Sequence, residues 1–116
     1  MQLNTSERMW MMPLRFLNHR DPLNSADSQE LLNATHVFPG RYMFKAIGPN
    51  HDDFIDAVLR AVRLVLKHDF DPPYSLNASV GGRHVSITVE PCVDTARDVL
   101  DVYARLRTVD GLLLLL

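Results

Sequence analysis

Apolar and polar positions alternate from Arg41 to Gly48, with Tyr42, Phe44 and Ala46 on one face and Met43, Lys45 and Ile47 on the other. A period of two predicts a strand. Gly48-Pro49-Asn50 breaks it, and Asn50 is suited to cap a helix. The period then changes, and Phe54, Ile55, Val58, Leu59, Val62, Val65 and Leu66 recur at helical spacing. Asp52, Asp53 and Asp56 fall early in this segment and Arg60, Arg63 and Lys67 late, which complements the helix dipole.

Asp71-Pro72-Pro73 ends the connection, and alternation returns. Gly81-Gly82 predicts a tight turn, because glycine takes positive φ without steric cost. Folding about it sets Tyr74 opposite Val89, Leu76 opposite Ile87 and Ala78 opposite Val85. The other face then pairs Ser75 with Thr88, Asn77 with Ser86 and Ser79 with His84. One face is apolar and the other polar, and a slip of one residue would scramble both. Pro91 stops the strand, and Asp94 or Thr95 caps a second helix with the stripe Ala96, Val99, Leu100, Tyr103 and Leu106. Asp101 and Arg105 form a pair four residues apart. Asp110-Gly111 turns the chain into a terminal strand, Leu112 to Leu116.

The order β-α-β-β-α-β leaves two helices to cover one face of a four-stranded antiparallel sheet. The compact solution is an α+β, ferredoxin-like sandwich with spatial strand order 4-1-3-2. Residues 1–37 show no lasting period and read as a flexible tail or arm, with one helical turn at Ser28 to Asn33; residues 38–116 form the domain. The other two readings of that segment are a translation start at Met9, Met11 or Met12 and an arm that packs Trp10, Leu14 and Phe16 on the domain.

At 116 residues this is one domain with a small core. A net charge of -2 argues against a dedicated nucleic-acid binder. Cys92 is the single cysteine, which excludes an intrachain disulfide and a thiolate metal cluster and favours a reducing, cytoplasmic setting. Pro13 and Arg15 cut short the apolar run from Met9, so neither a signal peptide nor a membrane span is expected.

Three stretches together resemble the YbeD-like bacterial family of unknown function. They are Phe38-Pro39 with Tyr42, Phe44-Lys45 and Ile47-Gly48; the hairpin run Ser79 to Val89; and Tyr103-Ala104-Arg105-Leu106. The likeness covers residues 38–116, with His84 standing where the family often has Tyr. It implies an ACT-like ferredoxin fold and a regulatory or interaction role with no established activity. ACT domains commonly bind amino acids near the first strand-to-helix turn, which makes Gly48, Pro49 and Asn50 the expected ligand turn.

The residues themselves carry little chemistry. His51-Asp52-Asp53 with Asp56 has metal-ligand types, but neighbours at a helix start point apart rather than converge. His84 and Cys92, eight residues apart at about 3.3 Å each, stand more than about 20 Å apart on one strand and form no catalytic pair. The polar ladder of Ser75, Asn77, Ser79, His84, Ser86 and Thr88 lacks a cleft and a group to orient the histidine. RNA-recognition sheets stack bases on aromatic residues of their central strands, and none is expected outward here. The expectation is therefore no enzyme, no cofactor, no metal, no nucleic-acid partner and no membrane partner.

The terminal strand stands apart. Leucine on both of its faces, beside Met43 and Ile47, predicts an apolar strip on the open side of the sheet. Met43, Ile47, Leu113, Leu114 and Leu115 are the expected interaction surface, covered by the N-terminal arm, by a second subunit in a homodimer or by a protein partner. The leading expectation is a non-catalytic regulatory or interaction module; the alternative is small-molecule, amino-acid-like sensing at the ligand turn.

Overall fold

The computed structural model describes residues 26–116. Their elements are α1 (Ala26–Thr35), β1 (Gly40–Arg41), β2 (Phe44–Pro49), α2 (Asp52–Leu66), β3 (Tyr74–Ala78), β4 (His84–Val89), β5 (Cys92–Val93), α3 (Ala96–Leu106) and β6 (Leu114–Leu115). The protein is α+β. Strands β3-β4-β2-β6 form a four-stranded antiparallel sheet in that order, and β1-β5 form a separate two-stranded sheet. This arrangement is consistent with a ferredoxin-like fold.

The hairpin register is the expected one at all five ladder positions, from Tyr74↔Val89 to Ala78↔Val85. Its turn is displaced, however. The closing hydrogen bond runs from Gly82 N–H to Ser79 O (2.8 Å), so Val80 and Gly81 are its central residues. Gly81 and Gly82 do take positive φ, 89° and 73°. Ser79 also accepts the His84 N–H on its hydroxyl, which holds the mouth of a four-residue loop.

The first predicted strand is interrupted. Alternation continues through Tyr42 and Met43, but Gly40 and Arg41 leave the main sheet to pair with Val93 and Cys92. Pro91 sets this branch: it ends the β4 ladder while its carbonyl accepts the Tyr42 N–H (3.0 Å). Cys92 therefore belongs to β5 and not to the strand that carries His84.

Both amphipathic helices bury the stripes expected of them. Phe54, Val58, Leu59, Ala61 and Val62 of α2 meet Val99, Leu100, Val102 and Leu106 of α3 in one core with Phe44, Ala46, Val85, Ile87 and Val89 of the sheet. Thr95 caps α3, accepting the Asp98 N–H on its hydroxyl (3.2 Å). Asp101 pairs with Arg97 (3.1 Å) rather than with Arg105. The two arginines flank it at the same helical spacing, and geometry selects the one a turn earlier.

Helix α1 lies within the segment 1–37 that reads as a tail or arm. It buries Leu32 against the core and contacts α3, so residues 26–35 are part of the packed body. Residues 1–25, including Trp10, Leu14 and Phe16, lie outside the described residues. Between α1 and β2 the aromatic rings of His36, Tyr42, Phe44 and Tyr103 follow one another at centroid distances of 4.8 to 4.9 Å. The Tyr42 and Tyr103 hydroxyls approach to 3.4 Å. Burial raises the pKa of both phenols, and in Tyr103 the neighbouring Tyr42 adds to the rise.

Candidate functional site

The sheet's helix-free face displays Lys45 and Ile47 of β2 beside Thr88 and Ser86 of β4, with Ser75 and Asn77 of β3 beyond them. Their neighbours Phe44, Ala46 and Gly48 are buried on the other face, so the face assignment is fixed by the ladder. No aromatic side chain occupies these outward ladder positions.

At the β6 border the same face turns apolar. Leu114 pairs with Ile47 and is 42% exposed; Met43, one step before β2, is 54% exposed and Leu113 64%. Backbone bonds hold this strip in place, from Leu113 N–H to Ile47 O (2.8 Å) and in both directions between Lys45 and Leu116 (2.8 and 3.0 Å). Leu115 is not part of the strip. It pairs with Ala46 and packs on the core from the helix side, because the step from Leu114 to Leu115 turns these two to opposite faces; Leu113, before the strand, bonds to Ile47 as Leu114 pairs with it.

The strand-to-helix turn is organised by the protein's own groups. A Cβ placed on Gly48 would stand 2.4 Å from Phe54 Cζ, so the close approach that glycine permits is taken by that ring. Asn50 does not cap α2. His51 stands at the N-cap without a side-chain bond, while the Asn50 amide donates to Gly82 O (3.0 Å) and its N–H to Arg83 O (2.9 Å). Pro49 meets the α3–β6 connection, where a Cβ on Gly111 would lie 3.1 Å from its ring.

Beside this turn, α2 and α3 frame an open groove of about 530 Å³. Arg60 and Arg105 line it from facing helices, and among the described residues neither has an ion-pair partner. Asp53, Asp110 and His51 stand at the same groove, which is therefore of mixed charge. Phe54, Leu64 and Val109 supply its apolar part. No sequence signal pointed to Arg60 and Arg105 together, since they lie on different helices and only the α2–α3 packing brings them to one groove.

The remaining candidates stay apart. His51 lies 3.9 Å from Asp53 at the exposed start of α2, and among the described residues no group of three metal-ligating side chains converges. Cys92 is exposed at the β1–β5 ladder. Among the described residues no helix is long and apolar enough to cross a membrane.

Residues 33–116 match the family model described as protein of unknown function DUF493. The chain belongs to this family. The match takes in both sheets, α2 and α3, and the three stretches on which the YbeD-like resemblance rests. A relative, the UPF0250 protein PM1928 of Pasteurella multocida (strain Pm70), is 29% identical over 79 residues, covering 68% of this chain and 88% of the relative. Within DUF493 the function is uncharacterised, and no catalytic family is indicated for this chain.

Proposed function

We propose that this DUF493 protein is a small non-catalytic interaction module of ACT-like, ferredoxin-like build that acts in the cytoplasm by holding a protein partner. One observation carries the reading. Leu114 and Ile47 sit side by side on the helix-free face, with Met43 and Leu113 exposed nearby, at the border of an otherwise polar surface. Exposed apolar side chains grouped at the border of a polar face suit a contact surface. The placement of His51, His84 and Cys92 on separate elements supports regulation through that contact over chemistry on a substrate.

The test uses the full chain, tagged and recovered from its own cells beside a Leu113→Asp/Leu114→Asp variant. A protein held by the unaltered chain and lost from the variant, with the variant's melting temperature retained, is the expected result. Identical protein profiles for the two chains would remove the strip from consideration.

A second reading, small-molecule sensing, is favoured by the groove at Pro49 and His51. Two arginines without ion-pair partners suit a carboxylate, and Asp53 or Asp110 an amino group, so an amino-acid-like ligand fits the charge pattern. A ligand at 100 times its dissociation constant adds about 2.7 kcal/mol of stability. Thermal melting against a panel of amino acids checks this, and unchanged melting temperatures dismiss those ligands.

A further inference from the structure

Strand β3 borders the sheet opposite β6, and its free edge differs in kind from the apolar strip. In an antiparallel ladder, alternate residues turn both N–H and C=O toward the neighbouring strand. The bonds Glu90 N–H to Pro73 O and Ser79 N–H to His84 O, each 2.9 Å, fix the phase here. Pro73, Ser75, Asn77 and Ser79 face β4. Tyr74, Leu76 and Ala78 consequently aim their backbone groups away from the sheet, and among the described residues no strand lies beyond them.

Natural edge strands usually block further pairing with a charge, a proline or a bulge. Tyr74-Ser75-Leu76-Asn77-Ala78 has none of these, and all five residues are exposed. The helices do not reach the strand's apolar face either: Tyr74 is 47% and Leu76 48% exposed, although their ladder partners Val89 and Ile87 are buried. Both the backbone edge and the adjoining apolar side chains are thus available together.

We propose that β3 pairs antiparallel with β3 of a second copy of this chain, about a two-fold axis through Leu76. The register follows from the outward groups. With Leu76 opposite its own copy and Tyr74 opposite Ala78, every outward N–H and C=O of the strand gains a partner. A shift of two residues strands one of the three at each end, and a shift of one presents groups already bonded to β4. The faces agree as well. Tyr74, Leu76 and Ala78 stay on the helix side in both copies, and Ser75 meets Asn77 on the open side, where hydroxyl and amide can bond across strands.

Charge favours a second copy over an unrelated strand. Antiparallel pairing lays the turn end of one β3 beside the incoming end of the other. Arg83 stands at the turn end, exposed and without an ion-pair partner among the described residues. The incoming end holds Asp69, also exposed and unpaired among the described residues, and Asp71, which Arg63 holds at 3.4 Å. Arg83 lies past the reversal of the chain and opposite Val80 in the hairpin register, which brings it level with Pro72 of the copy, next to Asp71, once at each end of the joined strands.

Sedimentation velocity over a concentration series, with amide hydrogen exchange on the same samples, tests the pairing. The expected result is a dimer that fills with concentration, with exchange slowing at Tyr74, Leu76 and Ala78 but not at Ser75 or Asn77. Leu76→Lys sets two ammonium groups face to face at the axis and should raise the dimer dissociation constant by about tenfold or more. Leu114→Asp, on the opposite border, should leave the dimer intact, which separates this pairing from the fate of the apolar strip. A chain that stays monomeric throughout, or a dimer whose Tyr74, Leu76 and Ala78 amides exchange at the monomer rate, overturns the proposal. Should Leu76→Lys fail to fold, the exchange pattern of the unaltered chain decides alone.

Discussion

The Asn50 side chain donates a hydrogen bond to Gly82 O at 3.0 Å, tying the start of α2 to the tip of a hairpin 32 residues later. With the backbone bond from Asn50 N–H to Arg83 O, the amide fastens a glycine-rich loop that has few other contacts. Asn50→Ala should cost about 1 kcal/mol, the usual net worth of such a bond. Urea unfolding would show a lower midpoint at unchanged slope, and faster exchange at the loop amides. An unaltered midpoint would mean that the backbone bond suffices.

Gly48 is set by the ring of Phe54, 2.4 Å from where a Cβ would stand. Gly48→Ala should destabilise by about 1–3 kcal/mol, the range for forcing extra volume into a packed core. Adding Phe54→Leu should recover part of that loss, since contacting residues are energetically coupled. Strictly additive losses in the double-mutant cycle would contradict this contact.

Leu32 is the buried residue of α1. Leu32→Ala should cost about 2 kcal/mol, the low end for truncating a buried leucine. Thermal unfolding would show it as a single lowered transition, because α1 is packed into the same core as α3. A variant with an unchanged melting temperature would return residues 26–35 to the status of a tail.

Burial raises the pKa of Tyr42 and Tyr103 above the ordinary value of 10.0. Above that pH the unfolded chain loses phenolic protons that the folded chain keeps, so the folded state binds more protons and stability falls as pH rises. The contribution is complete below pH 10 and declines through the raised values. Tyr103→Phe should make the alkaline decline shallower in denaturation midpoints from pH 8 to 11, while costing about 1 kcal/mol or less at neutral pH through the lost hydroxyl contact. An equally steep decline in the variant would place the alkaline sensitivity elsewhere.

The hairpin register was legible because Gly81-Gly82 and strict alternation leave one solution. The helical stripes were legible for the same reason: their period has no competing reading. What stayed hidden depends on distant groups. Alternation through Tyr42 and Met43 gave no sign that Pro91 would draw Gly40 and Arg41 into a second ladder. Asn50 has the chemistry of a cap, but its amide is taken by the hairpin loop, leaving His51 at the N-cap. Met43, Leu113 and Leu114 are exposed while Leu115 packs on the core, a split that the leucine run did not reveal because the phase of a two-residue strand depends on its partner. Nor does composition reveal that Tyr74 and Leu76 lie beyond the reach of the helices, since helix placement is a property of the whole sandwich.

Strands β3 and β6 hold opposite borders of one sheet, and this has a consequence for valency. Pairing through β3 would leave both β6 strips at the outer margins of the joined sheet. Seven strand spacings of about 4.8 Å each would separate them, roughly 34 Å. A dimer of this kind is a bivalent ruler. A partner with two matching sites at that span would be held by avidity, and the same partner with one site would not.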